Sequence, residues 1–281
     1  MHKMSIGSFY KASFMFLVLT LLAGRAAAGT PPKPESVPEI HPGILQGYLP
    51  IKSIPNSLSL LPPPPAANSA ALAVDEMANK QSRTLHGSAR WRLAHQDSVL
   101  KFPEAAGTFS CALNAPITKQ ETPHLYMLLR RTIADAGLAT YGAKNHYQRT
   151  RPFWVNKAPT CSPKDEEMLR TDGSYPSGHT AIGWAWALIL SEIAPERSDA
   201  ILARGWAFGE SRMICNVHWQ SDVTAGRTMG AVAVAKLHAE PTFRKAVEYA
   251  RDELNSAHAR NLPPTRDCKA EAVALAGAAP K

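Results

Sequence analysis

The sequence predicts an all-α fold: a single-domain helical bundle with an extended, Pro-rich N-terminal arm. Three observations lead there. Apolar residues recur at helical spacing over most of residues 69–257. The Val/Ile/Thr alternation that marks strands never lasts, and no repeat period appears. Finally, 11 of the 23 prolines fall within residues 29–65, a stretch that is extended and cannot sustain a helix.

Taken in order, residues 1–28 read as a signal peptide outside the fold. Lys3 and Lys11 supply a positive start, Ala12 to Ala23 a short apolar core, and Ala26-Ala27-Ala28 a small-residue cleavage site. The alternative is an uncleaved membrane anchor, but the apolar run is well short of the roughly 20 residues needed to span. No later stretch is long and apolar enough to cross a bilayer, so the expected product is exported, periplasmic or secreted, and free of the membrane. The arm covers residues 29–67. Its apolar residues, Ile44, Leu45, Tyr48, Leu49, Ile51 and Ile54, suggest that it lies on the body.

The helical domain is placed at 68–260. Residues 69–100 read as one or two helices broken near Gly87. Residues 121–148 form a strong helical stretch, started at Thr122-Pro123, with Leu125, Leu128, Leu129, Ile133 and Ala136 on one face. Gly137 and Gly142 are the points where it breaks, if it breaks. Residues 153–176 look like a loop, rich in Pro, Thr, Asp and Gly. Helices follow at 180–193, 197–214, 220–239 and 241–257. The tail, 261–281, is Ala/Pro-rich and is expected to fray unless Cys268 ties it down.

The net charge of +8 falls to +5 once Lys3, Lys11 and Arg25 are removed. The basic residues are spread along the chain, with no block of five or six, so a nucleic-acid partner is not indicated. Diffuse positive charge suits a small anionic substrate. The four cysteines, Cys111, Cys161, Cys215 and Cys268, form no Cys-x-x-Cys pair, which leaves zinc and redox motifs unsupported. In an oxidising compartment an even count suggests two disulfides with three connectivities. Cys161–Cys215 is favoured because both flank the candidate site, leaving Cys111–Cys268.

Three segments carry spacings that chemistry can use. The first is Lys144 followed after six residues by Arg151-Pro152. The second is Pro176-Ser177-Gly178-His179, a small-residue turn that feeds an apolar helix and aims free N–H groups at one point. The third is Ser211-Arg212, then five residues, His218, then three residues, Asp222. Singly, each piece is ordinary: a solvated basic face, a capped helix, a surface His–Asp pair. Jointly they supply what phosphoryl transfer needs without a metal. Cations stabilise the charge on three equatorial oxygens, one imidazole attacks phosphorus, and another protonates the leaving alkoxide. A carboxylate on the far nitrogen of the nucleophilic imidazole fixes its tautomer.

Together these segments resemble the three-part signature of the type 2 phosphatidic acid phosphatase and vanadium haloperoxidase superfamily. Gly173-Ser-Tyr-Pro-Ser-Gly-His-Thr180 is similar to the bacterial class A non-specific acid phosphatases. So are Tyr48-Leu-Pro, Leu60-Leu-Pro-Pro-Pro-Pro65, Lys144-Asn-His-Tyr-Gln-Arg-Thr-Arg-Pro-Phe153 and Ile182-Gly-Trp-Ala185, and the likeness covers roughly residues 45–255. The resemblance implies an all-helical secreted enzyme that hydrolyses a broad range of phosphomonoesters through a phosphohistidine, with no metal or other cofactor. It implies His218 as nucleophile, Asp222 as its orienting carboxylate and His179 as general acid and then base. Lys144, Arg151 and Arg212 would hold phosphate oxygens, assisted by Ser177 and the Gly178 N–H. Phosphate and vanadate are the expected inhibitors and a homodimer the expected assembly.

The rivals within this chemistry are an apyrase-like nucleotide diphosphohydrolase, a phosphotransferase and a vanadate-dependent haloperoxidase. A lipid phosphatase is disfavoured because transmembrane helices are lacking. The rival of another class is a non-catalytic phosphate-binding protein, which would not need His218 backed by Asp222.

Overall fold

A computed structural model describes residues 32–276. The signal-peptide expectation and the last five residues of the tail lie outside the described residues. The arm holds more regular structure than the sequence promised. Strands β1 (Glu39–His41) and β2 (Ile44–Leu45) form an antiparallel hairpin. Its turn passes through Pro42-Gly43, where φ is +82°, a value that glycine adopts without strain. The strands are too short for an alternating pattern to show. Beyond them, the N–H groups of Tyr48 and Leu49 donate to the Asp135 carboxylate at 3.0 and 2.9 Å. The Arg131 guanidinium lies over the Tyr48 ring, 3.9 Å from its centroid. One helical turn, α1 (Ser57–Leu60), follows, capped by Asn56. The arm is therefore fastened to the body by buried polar contacts as well as by its apolar residues.

Helices α2 (Ala70–Arg83) and α3 (Ala89–Asp97) start at Ser69 and Ser88, whose hydroxyls accept the N–H groups of Leu72 and Trp91. They separate at Gly87, as expected from the sequence. A short turn, α4 (Ser110–Leu113), leads to α5 (Pro123–Leu138) and α6 (Tyr141–Tyr147). The stretch 121–148 is thus two helices, broken at Ala139-Thr140, between the two glycines. Ser57 seals the break by donating to the Thr140 carbonyl at 3.0 Å and accepting the Ala143 N–H at 2.8 Å. The segment 153–176 is not simply a loop: it contains α7 (Pro152–Asn156) and α8 (Glu166–Thr171). Each is under two turns long, too short to show helical periodicity.

The bundle is built around α9 (Gly178–Ile193), which packs against α5, α10 (Ser198–Ile214), α11 (Gln220–Leu237) and α12 (Pro241–Ala259). Ten of its 16 residues are buried, which matches its unbroken apolar run. Trp186 is wholly enclosed and donates its indole N–H to the Leu129 carbonyl at 2.9 Å. Burying a large apolar side chain of this kind stabilises the fold by roughly 1.5–3 kcal/mol. Helix α11 approaches α9 closely enough to touch backbone. A Cβ at Gly226 would lie 2.5 Å from the Ser177 carbonyl oxygen, and one at Gly230 would lie 2.5 Å from that of Ala181. Glycine is required at both positions, and the contact sets the first turn of α9 against the start of α11.

Both expected disulfides are present, with Cα separations of 5.4 Å for Cys111–Cys268 and 4.7 Å for Cys161–Cys215. Cys268 opens α13 (Cys268–Ala276), so the tail is ordered up to residue 276 instead of fraying. Glu271 on this helix reaches Arg204 Nε at 3.4 Å, and Arg204 in turn pairs with the buried Asp97. Among the described residues, no helix is long and apolar enough to cross a membrane.

Candidate active site

The three sequence segments meet where α6, α7, the start of α9 and the α10–α11 connection converge. His218 sits in that connection, directly before the cap residue of α11, and is buried. Its backbone N–H donates to the Arg212 carbonyl at 3.3 Å, tying the imidazole's position to the last turn of α10. Between them, Asn216 adopts φ +61°, a left-handed conformation that Asn tolerates. Its amide is locked in a cluster with Asn79 and Asn156, at 2.8–3.1 Å. Cys215, one residue earlier, is bonded to Cys161. The turn carrying His218 is thus held by side chains from three other segments.

Hydrogen-bond roles fix the state of the ring. Arg151 Nη1 lies 3.0 Å from His218 Nε2. A guanidinium can only donate, so Nε2 presents its lone pair and the proton resides on Nδ1. Nδ1 faces Asp222 Oδ2 at 3.5 Å, close enough for charge but too long for a hydrogen bond. Asp222 is fully buried, and its oxygens serve other donors. Oδ2 accepts the Trp219 N–H at 2.8 Å and Oδ1 accepts Arg149 Nη1 at 2.6 Å. Burial, with Arg151, Lys144 and Arg212 adding to it, holds His218 well below the usual imidazole range. Both effects favour the unprotonated ring.

The cations come from three elements. Lys144 on α6 donates to the Gly173 carbonyl at 2.5 Å and lies 3.4 Å from Asp172 Oδ2. Burial, then Arg151, brings its pKa down to about 8. Arg151, the residue that caps α7, donates to the Asp172 and Val217 carbonyls at 2.9 and 3.0 Å and to Asp172 Oδ2 at 2.8 Å. Arg212 is buried at the end of α10, with its pKa lowered to about 10 by burial and by Arg151. Ser211 beside it is held by Arg90 at 2.9 Å and Asp97 at 2.6 Å.

The Pro176-Ser177-Gly178-His179 turn enters α9 as the sequence indicates. Ser177 caps the helix, accepting Thr180 Oγ1 at 2.9 Å and the Thr180 N–H at 3.3 Å. Its own N–H donates to the Asp222 carbonyl at 3.0 Å, joining this turn to α11. The N–H groups of Gly178 and His179 open the helix and have no acceptor within it. His179 Nε2 lies 3.0 Å from the Ser98 carbonyl, which can only accept, so Nε2 carries the hydrogen and Nδ1 the lone pair. Burial, then Arg212, pushes His179 well below its ordinary pKa. His179 thus feels the charges of Arg212 and Arg151, and all eight predicted site residues gather in one place. What they form is a nest of buried cations and N–H donors around an imidazole nitrogen, an arrangement whose charge suits a tetrahedral anion.

Comparison with known proteins decides the family. Residues 125–243 match the model of the PAP2 superfamily. The non-specific acid phosphatase of Providencia stuartii is 47% identical over 208 residues, covering 74% of this chain and 84% of the relative.

The chain belongs to the PAP2 superfamily.

The non-specific acid phosphatase of Salmonella typhimurium is 45% identical, over 71% of this chain and 80% of the relative. The acid phosphatase of Zymomonas mobilis is 41% identical, over 76% and 81%. The all-helical architecture agrees with this membership.

Three residues that the sequence did not single out pack around the candidate site. Arg149 donates to Asp222 at 2.6 Å, to Asp75 at 2.7 Å and to Ser221 at 2.7 Å, bridging two buried carboxylates. Asp75, on α2, also accepts the Ser221 N–H and hydroxyl at 2.8 and 2.6 Å, fastening the start of α11. Asp172 pairs with Lys144 and Arg151. The nearest available signal was a second arginine two residues before Arg151, inside the stretch that carried the resemblance.

Proposed function

We propose that the protein is an exported acid phosphatase that hydrolyses a broad range of phosphomonoesters through a phosphohistidine on His218. The observation that carries this reading is the 3.0 Å contact from Arg151 Nη1 to His218 Nε2. It defines a lone pair aimed into the cation cluster. The arginine donates to that lone pair. When a phosphoryl group enters, the same donor turns to a phosphoryl oxygen and Nε2 is released for attack.

Nε2 forms a bond to phosphorus while the ester P–O bond breaks. The leaving alkoxide takes a proton from His179 Nδ1, which gains that proton as the substrate's negative charge raises its pKa. His218 becomes cationic and moves toward Asp222, whose carboxylate stabilises it. Water then gives a proton to His179 and attacks phosphorus, releasing inorganic phosphate and regenerating Nε2. Lys144, Arg151, Arg212, the Ser177 hydroxyl and the Gly178 N–H carry the charge on the equatorial oxygens. These groups address the phosphoryl group alone, which supports breadth in the leaving group. Phosphate and vanadate, both tetrahedral oxyanions, would compete for the same cradle.

Burial and the surrounding cations lower the His218 pKa, which favours the unprotonated nucleophile and supports activity in acid. The two disulfides suit an oxidising compartment, consistent with removal of residues 1–28 on export. The test is turnover of a chromogenic phosphomonoester in excess chelator. Wild-type protein should turn over and His218→Ala should not, while phosphate binding by the variant persists. Near-normal turnover by His218→Ala would remove the proposed nucleophile.

A further inference from the structure

Asp172 is a charged group in the site that the mechanism does not use. Asp172 Oδ2 lies 2.8 Å from Arg151 Nη2 and 3.4 Å from Lys144 Nζ, so a single carboxylate oxygen takes two of the cations proposed to hold the phosphoryl group. We propose that Asp172 is the protein's own occupant of the phosphate cradle, displaced by substrate and returning to expel product; this rests on the phosphate site described above.

The contacts argue for a competitor over an organiser. Both cations have backbone partners that do not depend on the Asp172 side chain. Lys144 Nζ donates to the Gly173 carbonyl at 2.5 Å, and Arg151 donates to the Asp172 and Val217 carbonyls at 2.9 and 3.0 Å. With these bonds intact, the two side chains stay in place when the carboxylate leaves. The cations are fixed and enclosed, with side chains 4% and 3% exposed, whereas Asp172 is 26% exposed and has an open direction to turn into. Its backbone, by contrast, cannot follow. A Cβ at Gly173 would lie 2.8 Å from the Lys144 carbonyl oxygen and 3.0 Å from Gln148 Cα, so this stretch lies tight against α6 and its end. Movement is confined to the side chain.

A phosphoryl oxygen that accepts from Arg151 Nη2 and Lys144 Nζ must take the place of Asp172 Oδ2. Two anionic oxygens cannot share it. Substrate binding therefore exchanges one anion for another, which lowers phosphate affinity relative to an uncompensated cradle. The gain is in release. Inorganic phosphate leaves a site whose cations have an internal partner ready, so product does not accumulate on the enzyme.

Asp172→Asn keeps the shape and removes the charge. Inorganic phosphate, titrated into wild-type and variant by calorimetry, should bind the variant about tenfold or more tightly, the effect of losing one adjacent like charge. Its inhibition constant should fall in parallel. The steady-state rate should fall, while single-turnover phosphorylation keeps its wild-type rate, because release becomes limiting. Asp172→Glu, which restores the carboxylate, should return phosphate affinity to within a few-fold of wild type. Asp172→Ala repeats the test if the Asn variant melts below the assay temperature. Equal or weaker phosphate binding by both neutral variants would overturn the proposal and make Asp172 an organiser of the cations. Failure of the wild type itself to bind phosphate would remove the phosphate site and the proposal together, a result distinguishable from the first.

Discussion

Arg149→Met probes the support behind His218 without touching any group placed on the substrate. Arg149 is one guanidinium between two carboxylates, at 2.6 Å from Asp222 and 2.7 Å from Asp75. The side-chain exposures are 10% for Arg149, 0% for Asp222 and 2% for Asp75, so water screens this trio little. Methionine fills much of the volume and leaves both carboxylates facing each other without a cation. Removing one partner of a buried pair destabilises by about 3–5 kcal/mol. Asp222 keeps the Trp219 N–H, and Asp75 keeps the Ser221 N–H and hydroxyl, which places the expected loss near the lower end, about 3 kcal/mol. For a domain of this size each kcal/mol lowers Tm by roughly 2–4 °C, so Tm should fall by roughly 6–12 °C. Activity should fall beyond what unfolding explains, by about 10–100-fold in kcat at temperatures where the variant is folded, as for other outer partners of reacting groups. Arg149→Lys keeps a charge that reaches one carboxylate but not both, and should fall between. Scanning calorimetry and steady-state kinetics measure the two effects. A double cycle with Asp222→Asn should give a coupling of about 1 kcal/mol or more. A Tm within about 2 °C of wild type, with kcat unchanged within about twofold, would refute the reasoning, because it would put the trio in the energetic class of exposed ion pairs.

Three further outcomes follow from the same geometry. Burial and neighbouring cations lower the pKa of both histidines, and a bound anion would raise that of His179. Binding of sulfate, which does not titrate near pH 6, should therefore take up about one proton there, seen as a buffer-dependent calorimetric enthalpy; His179→Gln should lose it, and no buffer dependence in wild type would contradict the assignment. Lys144 has a pKa of about 8, below its ordinary value, so phosphate affinity should decline as pH rises past about 8 and not only past the usual lysine range. For folding the sign is opposite: the unfolded chain holds more protons above pH 8, so the Lys144 penalty, complete below 8, is relieved as pH rises towards its unfolded value. Lys144→Met should flatten both trends. Replacing Cys161 and Cys215 by Ser opens a 54-residue loop, a loss of about 4 kcal/mol in the chain-entropy treatment. Tm should drop by roughly 10 °C, and phosphate affinity should weaken through Arg212; a drop under about 2 °C would assign the bond no structural role.

Much of this molecule was legible in its sequence where periodicity or motif spacing was long. Helices α9 to α12 declared themselves because each runs for four turns or more with an apolar face, and α2 and α3 because apolar residues recur at helical spacing and Gly87 parts them. Helices α7 and α8 did not, since a five- or six-residue helix shows no period and their prolines and charges look like loop. The hairpin at residues 39–45 was hidden for the same reason. In the site, the eight motif residues were found because their spacings occur together. Arg149 was not, because an arginine between Gln148 and Thr150 looks solvated. Its burial comes from Asp75, 74 residues upstream, and from Asp222, 73 downstream, a convergence that only the fold creates. Asp172 likewise looks like a loop carboxylate until Lys144 and Arg151 are seen beside it. The tautomers of His179 and His218 depend on the Ser98 carbonyl and on Arg151, neither of which a motif specifies.

The central claim is that His218 Nε2 carries the phosphoryl group. The most direct measurement is rapid acid quench of the enzyme with a ³²P-labelled phosphomonoester, in chelator, with the labelled peptide mapped by mass spectrometry. The account predicts an acid-labile, base-stable label on His218, formed at a rate no slower than turnover and missing in His218→Ala. A label on another residue, or turnover with no labelled enzyme at any quench time while hydrolysis proceeds in His218→Ala, would contradict it.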